Sequence, residues 1–432
     1  MRRLPVDPLR RWISAAFVVS LAVACTQTSS NVAAPPSAAA AVTPRSTTST
    51  HDTATSAIPP SASFNVDPID APWANTIDAT IGGRVVSVAV GLADRIVYAH
   101  LGERPRALAS NEKLLTSMAA LDLLGPSFRY RTSAASDEPP HAGVLHGDLW
   151  LVGSGDPTLT TTDLAALADR LRSSGLRRVT GGVMGDTSAF DRGWWAPGWL
   201  PKISRDYVTR PTALRLAGGD SSPEPEAAAA FTAALRTAGI QVDGAPSIGA
   251  APATLHTLAA VDSPAMSQLL VEQNHESDNL YAELADKALG AAEGGKGSTA
   301  VGARVIQGWA SADGSPGSTV RDGSGLSDQD RTPADGMVGM LLGAHHQPWF
   351  QALYRSLPAG GEGTLSSRLE GVPVRAKTGT LFIRPASTLS GYVRTQAGTL
   401  VAFSVLTHDL PESTALAIED DIVRTLAAAS IR

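Results

Sequence analysis

Strand-like segments lie near both ends of this 432-residue chain, and a helical pattern follows each group. Near the beginning, residues 84–90 and 95–100 are rich in β-branched side chains and are joined by a four-residue turn, which is typical of a hairpin. Three further segments of the same character lie near the end, at 371–380, 389–394 and 399–406. A helix is predicted over 412–431. This pattern predicts one α+β domain, an antiparallel sheet with helices, in which the first and last strands share the sheet.

The middle of the chain differs from both ends. Residues 141–250 contain short strand-like and helix-like pieces, many glycines and a segment rich in tryptophan around Trp194, Trp195 and Trp199. We interpret this stretch as a smaller domain inserted into the main one. The main domain is then predicted to comprise residues 64–140 and 251–432.

The first 63 residues predict export and tethering. Residues 1–24 combine a basic start with a short apolar run, which is typical of a signal peptide and too short to span a bilayer, since a spanning helix needs roughly 20 residues. The run ends at Cys25, the single cysteine, in a setting similar to a bacterial lipobox. We expect a lipid on Cys25, the alternative being ordinary cleavage near Ala24. Residues 25–63, almost entirely Ala, Pro, Ser and Thr, predict a disordered tether. The body would then be anchored at the outer face of the cell membrane.

Charge and metal-ligand patterns exclude other classes of function. The formal net charge is −6 and no basic stripe is present, which argues against a nucleic-acid partner. No HExxH or CxxC spacing occurs, so neither a metal site nor a cofactor is predicted. Contact with a membrane is expected only through the lipid on Cys25.

The first chemical motif is Ser110-Asn-Glu-Lys113, at the start of an apolar helix predicted to end at Gly125. Residues three apart share a helix face, so an amine would lie beside a hydroxyl. A serine alcohol needs such a base to become a nucleophile, and lysine can act as one only if its pKa falls. Glu112 places a further charge beside that base. Taken alone, SxxK most often marks an exposed helix surface.

The second motif is Ser277-Asp278-Asn279, before another predicted helix. A hydroxyl and an amide two residues apart on a turn can point into one cleft, where Ser277 could relay a proton and Asn279 could hold a substrate amide. Taken alone, SDN most often caps a helix.

The third motif is Lys377-Thr378-Gly379-Thr380, within a predicted strand. Lys377 offers a positive charge for a carboxylate, and Thr378 and Thr380 offer hydroxyls. Gly379 has no side chain, which would leave room for a substrate backbone along the strand.

Together the three motifs occur in the order found in penicillin-binding proteins and class A β-lactamases. The use of lysine supports the combination independently. Of 35 basic residues only five are lysine, and two of these, Lys113 and Lys377, fall within the motifs. Position 113 needs a group that can lose a proton, which arginine cannot do.

The chain therefore resembles the low-molecular-weight penicillin-binding proteins of the D-alanyl-D-alanine carboxypeptidase/endopeptidase type, peptidase family S13. The resemblance covers most of residues 75–430. Besides the three motifs it is carried by the phrases GDLWLVGSGDPTL at 147–159, SDNLYAE at 277–283, DGSGLS at 322–327 and GGEGTLSSR at 360–368. It implies a penicillin-binding, β-lactamase-like transpeptidase fold.

The resemblance also implies roles for individual residues. Ser110 would be the acylated nucleophile, Lys113 the general base and Ser277 the proton relay. Asn279 and Lys377, with the strand residues after Lys377, would hold the substrate. The backbone N–H groups of Ser110 and Thr380 would form the oxyanion hole.

The function implied is a serine-type D-alanyl-D-alanine carboxypeptidase that acts on peptidoglycan stem peptides and is acylated by β-lactam antibiotics. Three alternatives stay open. An endopeptidase of D-Ala crosslinks would use the same residues. A non-catalytic β-lactam or wall-binding module would explain the tether but not an intact nucleophile, base and relay. A class A β-lactamase would need an ExxLN-like deacylation element, which the chain lacks.

Overall fold

A computed structural model describes residues 71–200, 206–219, 222–381 and 385–431. The predicted signal peptide, Cys25 and the predicted tether lie outside these residues. The helices are α1 (Pro72–Ile81), α2 (Glu112–Leu123), α3 (Thr161–Ser173), α4 (Pro223–Thr237), α5 (Met266–His275), α6 (Asn279–Gly294), α7 (Thr299–Ala312), α8 (Ala334–His345), α9 (Phe350–Ser356) and α10 (Glu412–Ala428).

The strands are shorter on average and fall into three sheets. They are β1 (Val86–Leu92), β2 (Arg95–His100), β3 (Arg131–Ser136), β4 (Val144–Leu145), β5 (Leu149–Val152), β6 (Arg178–Val179), β7 (Val183–Asp186), β8 (Gln241–Val242), β9 (Ser247–Gly249), β10 (His256–Asp262), β11 (Val374–Leu381), β12 (Ala386–Arg394) and β13 (Leu400–His408).

The main sheet joins the two ends of the described chain. Its order is β11-β12-β13-β1-β2, and every neighbouring pair is antiparallel. In the central pair, Val88 lies opposite Val405 and Val90 opposite Phe403. The prediction that the first and last strands share one antiparallel sheet is confirmed.

Both faces of this sheet are covered by helices, as the alternation of its apolar side chains requires. Val88 and Val90 pack with Ile77 of α1 and Ile422 of α10 in one core. The intervening Ala89 packs on the other face, in a core that includes α2. Residues 112–121 of α2 are all buried, so this helix runs through the centre of the domain.

A second sheet forms from the middle of the chain. Its order is β10-β3-β5-β7-β9, and α3 and α4 pack against it through residues such as Leu167, Leu171 and Phe231. A small parallel sheet, β4-β6-β8, lies within the same part of the sequence.

The second sheet extends beyond both predicted limits of the insertion, residues 141–250. Strand β3 precedes that range, β10 follows it, and the two pair along their whole length from Arg131–Asp262 to Ser136–His256. Strands β3 and β10 lie more than a hundred residues apart in the sequence, so no local pattern indicates that they pair in one sheet. The inserted domain stays a prediction, and the pairing supports bounds near 131 and 262 for it.

Within the ranges that the structure describes, we find no helix both long enough and apolar enough to cross a membrane.

Candidate active site

The first motif forms a serine–lysine pair at the start of α2. Ser110 lies in a short 3-10 turn, Ala109–Asn111, that leads directly into the helix. Ala109 has a φ of 49°, in the left-handed region that side chains disfavour. The Lys113 Nζ lies 3.1 Å from the Ser110 Oγ. The predicted amine–hydroxyl contact is therefore present, and a strained residue directly precedes the hydroxyl.

Lys113 has two further partners besides Ser110. Its Nζ donates to the side-chain Oδ1 of Asn279 and to the backbone carbonyl of Ser324, both at 2.7 Å. A neutral amine has two N–H bonds and one lone pair. Neutral Lys113 can therefore keep both of these hydrogen bonds while its lone pair accepts from the Ser110 hydroxyl.

Burial prepares Lys113 to act as a base. The side chain is completely buried, and this desolvation lowers its pKa from 10.5 to about 8, opposed mainly by the negative charge of Asp322 and then by that of Asp278. A lysine with this pKa is still mainly protonated at neutral pH, but it loses its proton far more readily than an ordinary lysine does. Burial, rather than the charge of Lys377, is the leading cause of this lowered pKa.

Lys377 lies on β11, and it too is completely buried. Its Nζ donates to the Oγ of Ser277 at 2.9 Å and to the carbonyl of Thr378 at 2.8 Å. Burial, followed by the positive charge of Lys113, holds the pKa of Lys377 well below its usual range. The structure thus joins the second and third motifs through one hydrogen bond.

The second motif turns sharply into α6. Ser277 has a φ of 58°, and Asp278 caps the helix by accepting from the N–H of Tyr281 at 3.0 Å. The amide of Asn279 accepts from Lys113 and donates to the carbonyl of Tyr207 at 3.0 Å. Asn279 therefore bridges the base and a backbone segment that the sequence did not connect with the site.

Gly379 has a different role from the predicted one. A side chain at this position would collide with the Thr388 hydroxyl and would lie within 3.0 Å of the Leu108 carbonyl and the Ser110 nitrogen. The prediction that its missing side chain leaves room for a substrate is therefore wrong on the side of β11 to which a side chain would point, because the protein itself fills that space. The glycine instead allows β11 to lie directly against the turn that carries the nucleophile, and the Thr388 hydroxyl donates to the Leu108 carbonyl at 2.8 Å.

The threonines beside Gly379 differ in exposure. Thr378 is half-buried, and its hydroxyl bonds that of Thr364 at 2.8 Å. Thr380 is exposed on the strand that faces the serine–lysine pair.

A cluster of buried carboxyl groups lies near the base, a feature that sequence reasoning largely missed. Five of them have no exposed surface: Glu112, Glu283, Asp286, Asp322 and Asp330. Burial and mutual repulsion raise the pKa of Glu283 to about 8 and hold those of Glu112, Asp286 and Asp330 well above the usual range. These four groups are thereby favoured in their neutral forms.

Only Glu112 was singled out from the sequence. Asp286 and Asp330 carry no local signal, because acidic residues usually lie at the surface. The phrase DGSGLS, at 322–327, was the available clue to Asp322. Across the described ranges, no group of three or more His, Cys, Asp or Glu side chains is arranged to hold a metal ion.

The fold and the converging motifs define a penicillin-recognising enzyme of the serine acyl-transfer class. The chain belongs to the D-Ala-D-Ala carboxypeptidase 3 (S13) family, whose model matches residues 74–224 and 219–429. The predicted family and the predicted activity, that of a serine-type D-alanyl-D-alanine carboxypeptidase, are confirmed.

Two curated relatives match over most of their length. A D-alanyl-D-alanine carboxypeptidase from an Actinomadura species is 30% identical over 443 residues, covering 81% of each chain. Carboxypeptidase DacB from Mycolicibacterium smegmatis is 29% identical over 420 residues, covering 84% of this chain and 88% of the relative.

A solved structure confirms the predicted fold class. Penicillin binding protein 4 (dacB) from Haemophilus influenzae superposes with a TM-score of 0.69 at 22% identity, covering 81% of this chain and 98% of that one. The same protein complexed with a β-lactam gives a TM-score of 0.66.

Proposed function

We propose that Ser110 is the acylated nucleophile of this carboxypeptidase and that Lys113 is its general base. The observation that supports this most directly is the 3.1 Å contact between the Lys113 Nζ and the Ser110 Oγ, with a buried lysine whose pKa is lowered to about 8. The substrates proposed are stem peptides of peptidoglycan that end in D-Ala-D-Ala.

Acylation then proceeds in one sequence of bond changes. Neutral Lys113 removes the proton of the Ser110 hydroxyl as its Oγ bonds to the carbonyl carbon between the two D-alanines. The carbonyl oxygen becomes an oxyanion, and the carbon–nitrogen bond breaks when the tetrahedral intermediate collapses. The leaving nitrogen takes a proton and free D-Ala departs. Water then hydrolyses the ester to regenerate Ser110.

Ser277 is suited to deliver the proton to the leaving nitrogen. Its Oγ accepts from the Lys377 Nζ at 2.9 Å, so its own O–H can donate toward the cleft. Lys377 supplies the positive charge for the terminal carboxylate of the substrate, and Asn279, Thr378 and Thr380 line the path to it. The oxyanion hole is assigned to the N–H groups of Ser110 and Thr380, which the close contact of Gly379 with the nucleophile turn supports.

A β-lactam resembles the same peptide and would acylate the same oxygen. Replacing Ser110→Ala should abolish covalent labelling by a fluorescent penicillin, because Ser110 has the one hydroxyl that bonds to Lys113 among the residues the structure describes. The labelling is measured on a denaturing gel, with folding checked by circular dichroism. Exposed Ser127→Ala serves as the matched control and should label like the wild type. Undiminished labelling of folded Ser110→Ala would overturn the assignment.

Export and lipid attachment belong to the same proposal. Residues 1–24 would direct export, and a lipid on Cys25 would anchor the body outside the cell through residues 25–63. Cys25→Ala should move the mature protein from the detergent phase to the aqueous phase on phase separation, without changing penicillin labelling. A wild-type protein found in the aqueous phase would contradict lipid attachment and leave the catalytic assignment intact.

A further inference from the structure

A buried tryptophan outside the three motifs is hydrogen-bonded to a carboxylate in a turn that contacts the base, Lys113. The indole N–H of Trp199 donates to the Oδ2 of Asp322 at 2.5 Å. Trp199 lies between β7 and α4, in the middle part of the chain, whereas Asp322 lies between α7 and α8. Trp199 is 7% exposed and Asp322 is not exposed at all, so water does not compete for this bond.

Asp322 uses its other acceptor positions to shape a turn. Its Oδ1 accepts from the N–H groups of Ser324 at 3.0 Å and Gly325 at 2.6 Å, and its Oδ2 accepts from that of Ser327 at 2.7 Å. A carboxylate with four N–H donors is firmly fixed in place. This one side chain therefore fixes much of the conformation of residues 322–327.

The same turn contacts Lys113 and the residue that directly precedes Ser110. The carbonyl of Ser324 accepts from the Lys113 Nζ at 2.7 Å. Gly325, with a φ of 80°, packs against the carbonyl of Ala109, where any side chain would overlap. A shift of this turn would therefore move the base and the residue preceding the nucleophile together.

A second contact joins the tryptophan segment to the turn. The hydroxyl of Ser327 donates to the carbonyl of Pro197 at 2.7 Å, two residues before Trp199. Glu283 supports the turn from the opposite side, by accepting from the N–H groups of Gly323 and Ser324. Loss of the Trp199 bond would thus remove one of the contacts that hold the 322–327 turn and leave the others in place.

We propose that Trp199 is a positioning residue for acylation, which acts through Asp322 and the 322–327 turn to hold Lys113 and Ala109 in register with Ser110. The inference rests on the proposed roles of Ser110 and Lys113. It gives the middle part of the chain a direct influence on the chemical step, separate from any contact with the substrate.

The test is the acylation of the full chain by a chromogenic β-lactam, followed at several concentrations so that the acylation rate constant and the noncovalent binding constant separate. Trp199→Phe should lower the rate constant about 10-fold, the order expected for losing one hydrogen bond to a charged group, and leave the binding constant unchanged. Trp309→Phe is the matched control, because its indole N–H also donates to a carboxylate, that of Asp122 at 3.1 Å. Its rate constant should equal that of the wild type.

A double-mutant cycle shows whether the effect passes through Asp322. Asp322→Asn should reduce the rate constant more than Trp199→Phe, because an amide cannot accept from all four donors. Adding Trp199→Phe to Asp322→Asn should then cause little further loss. Fully additive losses, or a change confined to the binding constant, would overturn the proposal. If Trp199→Phe does not fold, Ser327→Ala removes the second contact between the tryptophan segment and the turn and should give a smaller loss in the rate constant. A wild-type rate constant for Ser327→Ala would also overturn the proposal.

Different results would contradict the proposed function and the role of Trp199. Continued labelling of Ser110→Ala would remove the proposed function. Absence of that labelling, together with a wild-type rate constant for Trp199→Phe, would remove only the role of Trp199.

Discussion

Lys113 and Lys377 are equally buried but lie in opposite electrostatic surroundings. Lys113 lies near the negative charges of Asp322 and Asp278, which limit how far burial lowers its pKa, and that pKa settles at about 8. Lys377 bonds a hydroxyl and a carbonyl, and the charge that most affects it is the positive charge of Lys113. The acids make Lys113 a base that can gain and lose a proton near neutral pH. Among the described residues no carboxylate bonds to Lys377, and a substrate carboxylate would supply this counter-charge.

The largest expected effect comes from removing the ability of Lys113 to lose a proton. Lys113→Arg should lower the acylation rate about 10²–10⁴-fold, because guanidinium stays protonated and cannot act as a base. In the wild type the rate should rise with pH through about 8, as Lys113 becomes neutral. The measurement is the acylation rate by a β-lactam between pH 6 and 10.

Lys377→Arg is the matched comparison, since charge rather than proton transfer is required there. It should keep measurable activity, reduced by the limited space around a buried side chain. An active Lys113→Arg combined with an inactive Lys377→Arg would mean that the two roles are reversed.

The next effect concerns the missing counter-charge of Lys377. Lys377→Ala should weaken the reaction of a peptide with a free terminal carboxylate by about 2–5 kcal/mol, as expected for losing one partner of a buried charge pair. The same peptide with an amidated end should show little difference between wild type and variant. Peptide turnover is measured for both forms by mass spectrometry. An equal loss with acid and amide would show that Lys377 does not bind the carboxylate.

The smallest effect concerns the acids beside Lys113, and it appears in stability. Burial, and then the charge of Asp322, raise the pKa of Glu112 above its usual 4.5, and neither carboxyl oxygen has a hydrogen-bond partner in the described structure. The folded protein therefore binds this proton more tightly than the unfolded chain does. The bound proton contributes its full stabilisation below about pH 4.5, and this contribution is lost as pH rises toward the raised pKa.

Position 112 cannot titrate in Glu112→Gln. The free energy of unfolding of this variant should therefore increase relative to that of the wild type as pH rises. We expect similar stability near pH 4.5 and an advantage of about 1 kcal/mol or more at pH 8, the scale of one buried unsatisfied polar group. Urea unfolding at both pH values measures this difference, and exposed Glu272→Gln is the control. An advantage independent of pH would contradict a raised pKa.

Much of the site could be predicted because its chemistry is encoded in short motifs. Ser110 and Lys113 are three residues apart, and helix geometry alone places them together. Lys377 was recognisable as a cation within a strand, and the family resemblance gave it a role in holding the substrate. The main sheet was predictable for a similar reason, since its strands carry clear patterns at both ends of the chain.

The remaining features depend on packing between distant segments. Nothing local distinguishes buried Asp286 or Asp330 from surface acids. The contact of Trp199 with Asp322 joins residues 123 positions apart. Gly379 was assigned to the substrate because the sequence cannot show that the nucleophile turn already occupies the space beside it.

That turn has a consequence for the time at which the enzyme can first become reactive. The bond between the Thr388 hydroxyl and the Leu108 carbonyl spans 280 positions of the chain. At about 5–20 residues per second, synthesis reaches Thr388 roughly 15–60 s after Leu108. For most of that interval the nascent chain carries Ser110 without β11, the strand that lies against the turn. The nucleophile is therefore made early and assembled late, so fragments that end before β11 should be inert toward penicillin.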